Sequence, residues 1–208
     1  MKNEDNNPVE TLNDIRNLME RSSKFISLSG FSGIIIGILT IICVTLYCNH
    51  YGINPLNLDY DYLGTLPKEH FNVALISALG LMLASIGIAT FMTARRASEM
   101  KVSIWGLASK RLFINMFIPL SVGIVFCFIL LYDHVDLVLP LSLVFYGMSL
   151  FNAGNYTQQS IRSLGLVEMI LGIICLAFIQ YHIIIWTIGF GLMHVVYGTY
   201  MYFKFEKF

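Results

Sequence analysis

The chain has 208 residues, of which 56% are hydrophobic and 12% charged, and its formal net charge is zero. Soluble domains carry about a quarter charged residues, so this composition excludes an ordinary water-soluble domain and calls for lipid as solvent. The balance of 13 basic and 13 acidic residues gives no pull toward nucleic acid.

Residues 1–24 are polar and charged. Asn7 can cap a helix, Pro8 suits its first position, and Glu10 stands three residues after the cap. Leu12, Ile15 and Met19 then form an apolar stripe beside the polar Arg16, Glu20 and Arg21. The pattern predicts a short amphipathic helix lying on the inner membrane surface, either as a lead-in to the first span or as a docking helix for a cytosolic partner. No short apolar core with a small-residue cleavage site opens the chain, so a cleaved signal peptide is not expected.

Residues 25–208 are expected to form the transmembrane domain. A helix needs about 20 apolar residues to cross the hydrocarbon. Runs that qualify lie at about 25–47, 71–93, 112–132, 135–151, 164–180 and 183–203. Pro119 and Pro140 fall within the third and fourth, where neighbouring helices can satisfy a freed carbonyl. The predicted fold is all-α: one bundle of six transmembrane helices.

The basic residues set an orientation. With both termini inside, the cytoplasmic segments hold Lys2, Arg16, Arg21, Lys24, Arg95, Arg96, Lys101, Lys110, Arg111, Arg162, Lys204 and Lys207, and the outer loops hold Lys68 alone. This bias predicts a multi-pass protein of the bacterial inner membrane with both ends cytoplasmic.

Small residues mark packing faces. The first span carries Ser29, Gly33 and Gly37 at four-residue spacing, a pattern that lets helix backbones approach in lipid. It serves contacts within one chain and homo-oligomers alike. The fifth span carries Gly165, Glu168 and Gly172, and the sixth Gly191, His194 and Gly198, in the same Gly-x2-ionisable-x3-Gly order. Folding the two spans into an antiparallel hairpin about Tyr181 sets Gly172 near Gly191, Gly165 near Gly198, and Glu168 level with His194. A lone carboxylate in the bilayer is costly and seeks a partner. Glu168 and His194 are therefore the expected intramembrane ionisable pair, either a polar pin or a proton relay.

On the outer side, His50, Glu69, His70, Asp133, His134, Asp136 and His182 form a candidate cluster. Imidazole with carboxylate suits divalent metals, but no metal-motif spacing such as HxxxH occurs. No metal site is therefore assigned. Exclusion of Lys and Arg from the outer loops also accounts for the composition of this face. Cys43, Cys48, Cys127 and Cys175 lie in or beside apolar runs without CxxC spacing and read as packing residues.

Several segments carry a resemblance. These are Met19-Glu-Arg-Ser-Ser-Lys-Phe-Ile-Ser-Leu-Ser-Gly-Phe-Ser-Gly33, Ile161-Arg-Ser-Leu-Gly-Leu-Val-Glu168, Gly189-Phe-Gly-Leu-Met-His-Val-Val-Tyr-Gly198 and Tyr202-Phe-Lys-Phe-Glu206. In them the chain resembles a group of uncharacterised six-span integral membrane proteins of Bacteroidetes-type bacteria. The resemblance implies the fold and location and carries no activity.

The chain holds no HExxH, GxSxG or paired intramembrane Asp arrangement, so an enzyme is not expected and no cofactor is called for. Two functional expectations remain. One is a small-solute or proton-coupled transporter centred on Glu168 and His194. The other is a non-catalytic scaffold or sensor that presents its N-terminal helix to a cytosolic partner. Membrane lipids are expected partners in both. Amine- or thiol-directed reagents that cannot cross the membrane should leave tags at both chain ends unlabelled in intact cells; labelling of either end overturns the orientation.

Overall fold

The computed structural model describes residues 29–56, 67–99 and 107–205. The predicted N-terminal amphipathic helix lies outside them, as do the middle of the first outer loop and much of the second inner loop. Every regular element among the described residues is helical. Helix α1 spans Gly30–Tyr51, α2 Lys68–Glu99, α3 Leu107–Asp133, α4 Val138–Ala153 and α5 Gln159–Ala177. A 3-10 turn, Val135–Leu137, leads into α4. The sixth span is composite: a 3-10 turn Ile179–Tyr181, helix α6 His182–Thr187, a π-helical turn Ile188–Met193, and helix α7 His194–Phe205.

Six segments are long and apolar enough to cross a membrane: Gly30–Tyr51, Glu69–Glu99, Ser109–Asp133, Val135–Ala153, Gln159–Ala177 and Ile179–Lys204. The protein is an all-α, multi-pass membrane bundle. Its outer surface is apolar, with Ile76, Leu83, Phe91, Phe117 and Ile129 all more than half exposed, as suits contact with acyl chains rather than water. The second and third helices run further into the basic end than the apolar runs alone indicate, reaching Glu99 and starting at Leu107, because Arg and Lys side chains can extend from a helix end into the headgroups.

Hydroxyl side chains inside the spans bond to their own helix. Thr40 donates to the Ile36 carbonyl at 2.9 Å, Thr187 to Ile183 at 2.7 Å, Thr199 to Val195 at 2.7 Å and Ser149 to Phe145 at 2.9 Å. This satisfies a polar group without a neighbour. Pro140 sits in the first turn of α4, where a missing N–H breaks no intrahelical bond. Helix α1 ends at Gly52, whose φ of 65° is the left-handed value that favours glycine. The Ile53 N–H then donates to the Cys48 carbonyl at 2.9 Å.

The helices pack in the order α2–α1–sixth span–α5/α4–α3, with α4 and α5 sharing the most extensive seam. Helices α2 and α3, though consecutive, share no comparable seam among the described residues. Helix α2 leans on α1 alone, and its most apolar stretch buries no residue.

Glycine sets the closest approaches. A Cβ on Gly37 would lie 2.5 Å from the Gly191 carbonyl oxygen, and one on Gly198 2.5 Å from that of Gly30. A Cβ on Gly165 would meet the Phe151 nitrogen at 2.5 Å, and one on Gly172 the Val144 nitrogen at 2.9 Å. The predicted facing of Gly172 on Gly191 and of Gly165 on Gly198 is therefore incorrect. The fifth-span glycines seat against α4, and the sixth-span glycines seat against α1, including Gly33. The reason is geometric. Each span has two neighbours, and the small-residue line serves the longer seam with the spans outside the hairpin.

Substitution should follow this map. Gly37→Ala and Gly147→Ala place a methyl against backbone, 2.5 Å from Gly191 and 2.6 Å from Gly165 respectively, and should each cost about 1–3 kcal/mol. Gly80→Ala, with nothing within 4 Å of its Cβ, should be neutral or stabilising by up to about 1 kcal/mol through helix propensity. Thermal unfolding in detergent measures all three; equal losses would contradict the seam assignment.

Candidate functional site

The α5 sequence turns Glu168 away from its glycines. Gly165 and Gly172 are seven residues apart and share a face, while Glu168 stands about 60° around the helix from that line, at 3.6 residues per turn. The glycines address α4 and the carboxyl addresses the sixth span. His194 follows the π-helical turn and points inward to meet it. Glu168 Oε1 and His194 Nδ1 are 3.5 Å apart, with side-chain exposures of 0% and 8%. The two predicted ionisable residues are thus brought together.

Sequence reasoning missed a third member, Tyr146 of α4. Its hydroxyl lies 2.8 Å from His194 Nε2, and the two rings stack with centroids 5.6 Å apart. His194 Nδ1 lies 3.1 Å from the Gly189 carbonyl oxygen. A carbonyl only accepts, so Nδ1 carries a hydrogen, and in the neutral ring Nε2 accepts from Tyr146. A signal for this arrangement is present in the sequence. His182, Trp186, Phe190 and His194 recur every four residues, and Ser142 and Tyr146 share that spacing on α4. Trp186 Nε1 donates to Ser142 Oγ at 3.0 Å, and Phe190 packs on Tyr146 with ring centroids 4.8 Å apart.

The His194 Nδ1–H therefore faces two acceptors and is committed to one. The Gly189 carbonyl is within hydrogen-bond range. Glu168 Oε1, at 3.5 Å, is within reach of charge–charge attraction and beyond a sound hydrogen bond. Neither carboxyl oxygen has a hydrogen-bond partner among the described residues. Room for the carboxyl comes from a missing side chain: a Cβ on Gly189 would lie 2.5 Å from Glu168 Oε2. Gly189 and Gly191 lie within the π-helical turn, where weak helix propensity eases the wider winding.

No crevice among those found reaches this centre. The one between α1 and the sixth span, of about 230 Å³, is lined by Val44, Thr45, Cys48, Ile53, Ile184 and Thr187, none of which belongs to the Glu168 network.

The outer-face candidates do not gather at one point. His50 and His70 both pack on Tyr51, with ring centroids 4.7 and 4.0 Å away, and the Tyr47 hydroxyl donates to the His70 carbonyl at 3.2 Å. Glu69 is exposed beside them. On the far side of the bundle, buried His182 donates from Nδ1 to the Ile179 carbonyl at 2.7 Å and lies within electrostatic range of Asp136. Asp133 and His134 are exposed. The cluster divides because its members cap two different seams, α1–α2 and α4–sixth span. Among the described residues, no three His, Cys, Asp or Glu side chains converge as a metal site. All four cysteines are free.

No known protein family, curated protein or solved structure matches this chain. The site must be read from its own chemistry.

The Tyr146–His194 contact can be isolated by a double-mutant cycle. Tyr146→Phe should cost about 1–3 kcal/mol, the usual cost of leaving a buried partner unpaired. In a His194→Phe background the same change should cost close to nothing. Unfolding in detergent reads both; additive losses would show that the hydrogen bond carries no stability.

Proposed function

We propose that this chain is a proton-coupled carrier of a bacterial inner membrane, both ends cytoplasmic, with Glu168 and His194 as its ionisable centre and Tyr146 as their third member. The observation that carries the reading is the carboxyl of Glu168, fully buried and without a hydrogen-bond partner among the described residues. A residue kept only to lock helices together gains most when its polar atoms are satisfied, and an orphaned buried group calls for another explanation. Intramembrane carboxylates serve widely as proton-binding groups.

Two further features agree. The π-helical turn beside His194 is of a kind that concentrates at functional sites. The His194 Nδ1–H also stands between two acceptors only a few tenths of an ångström apart in distance, 3.1 and 3.5 Å. A small rotation of the ring or carboxyl transfers that hydrogen bond from the Gly189 carbonyl to Glu168. This gives the centre two arrangements, the minimum a carrier requires. The conformation described is the closed one.

The second reading is a non-catalytic scaffold or sensor in which the same trio is a structural pin. Its supporting observation is the sealed packing around Glu168, whose exposure is 0%.

Proton uptake into liposomes separates the two. The carrier reading expects Glu168→Gln, which keeps the shape and removes the ionisable group, to lower uptake by about two orders of magnitude, the scale of losing a positioned proton-transfer group. Uptake equal to that of the unaltered protein would remove the carrier reading and leave the pin.

A further inference from the structure

Buried polar atoms without partners are not scattered through the bundle. Five occur among the described residues: Thr93 Oγ1, Gln158 Oε1, Glu168 Oε1, Glu168 Oε2 and the Tyr197 hydroxyl. Thr93 belongs to α2. The other four belong to α5, the loop before it and the sixth span, and they run from the bundle centre toward its basic end.

Their order follows the chain. Gln158 caps the start of α5, two residues before Ser160, and Glu168 lies eight residues beyond Ser160. At 1.5 Å per residue those eight residues cover about 12 Å. Tyr197 bridges the interval from the opposite helix. It stands one turn beyond His194 toward the basic end, its hydroxyl faces Ser160, and it lies within electrostatic range of Tyr146. It packs on the same Leu150, Ile161 and Leu164 cluster that Tyr146 and Met193 flank.

The opposite direction is built differently. Between Glu168 and the acidic end, the space between α4 and the sixth span is filled by rings. Phe190 stacks on His194 and Tyr146, and Trp186 packs on Phe190 with ring centroids 4.8 Å apart. The Trp186 N–H is already held by Ser142, and Ser142 Oγ donates to the Leu139 carbonyl at 2.7 Å. No partnerless buried side-chain atom occurs on this route.

We propose that Glu168 exchanges protons with the basic end of the bundle alone, through a single file of hydrogen bonds that runs Gln158–Ser160–Tyr197–Glu168 with bridging waters, while the Phe190–Trp186 rings close the acidic end. Orphaned polar atoms strung at intervals through a dry interior are the partners that ordered water takes. A tyrosine hydroxyl both donates and accepts, so it can pass a proton between Ser160 or a water and the carboxyl. The groups facing Glu168 from the elements packed on it are His194 and Tyr197 of the sixth span and Tyr146 of α4; Tyr197 alone lies toward the basic end. The inference deepens the carrier reading by assigning a side of access, and rests on that reading for its purpose.

Solvent exchange of the His194 ring N–H tests the route without requiring transport. It is followed in D2O by NMR on protein labelled with nitrogen-15 histidine, and the signal is assigned by its loss in His194→Asn. Tyr197→Phe and Ser160→Ala are each expected to slow exchange by about tenfold, the factor one lost hydrogen bond is worth. Trp186→Phe, which keeps the ring, is expected to leave the rate unchanged. Unaltered exchange in both Tyr197→Phe and Ser160→Ala overturns the proposal, as does faster exchange on opening the aromatic plug with Trp186→Ala while those two stay at the original rate. Should one of the pair fail to fold, the other decides. If exchange responds as expected and Glu168→Gln leaves liposome uptake unchanged, the file stands and the carrier reading falls.

Discussion

Close approach of helix backbones is the constraint on which this structure depends. Lipid tails are as apolar as leucine, so no hydrophobic force gathers the spans, and dispersion between closely packed surfaces must do so. Glycines supply two such surfaces: α1 against the sixth span through Gly30, Gly33, Gly37, Gly191 and Gly198, and α4 against α5 through Gly147, Gly165 and Gly172. The two tight pairs then meet along the sixth span. Where they meet, the side chains of Tyr146, Glu168 and His194 are sealed from both lipid and water. The burial of the polar centre is thus a by-product of glycine placement on either side of it.

The same constraint explains what stays outside. Helices α2 and α3 carry fewer small residues directed at the bundle, and each leans on a single neighbour, α1 and α4 respectively. Gly80 and Gly87 of α2 face open space. A glycine therefore marks a seam only where a second backbone is present to use it, and its position in the sequence does not by itself distinguish the two cases.

Much of the architecture was readable before any coordinates. Six apolar runs, the short link at Tyr181 and the matched depth of Glu168 and His194 all follow from spacing. The partner of each glycine did not. Placing Gly172 on Gly191 assumed that residues at i, i+3 and i+7 all face one neighbour, whereas the 60° between Glu168 and its flanking glycines is enough to divide them between two. Tyr146 was missed because α4 offers no ionisable residue to draw attention, and its role emerges only from the rings that line up opposite it. The outer histidines and acids looked like one group because topology collects them on one side, but membership of a side says nothing about distance across it.

The π-helical turn has a structural consequence of its own. A line of side chains that repeats every four residues overshoots the 3.6-residue winding of an α-helix and drifts around it by about 40° per step. Ile188–Met193 is wound more loosely, which counteracts that drift, so His182, Trp186, Phe190 and His194 form a straight column instead of a spiral. A shortened sixth span, lacking one amino acid in this stretch, would revert to uniform coiling and swing everything after it by about 100°. Gly198 would leave its groove and the imidazole would turn from its tyrosine in the same motion. Length in this stretch is consequently as strictly fixed as the identity of any side chain in it.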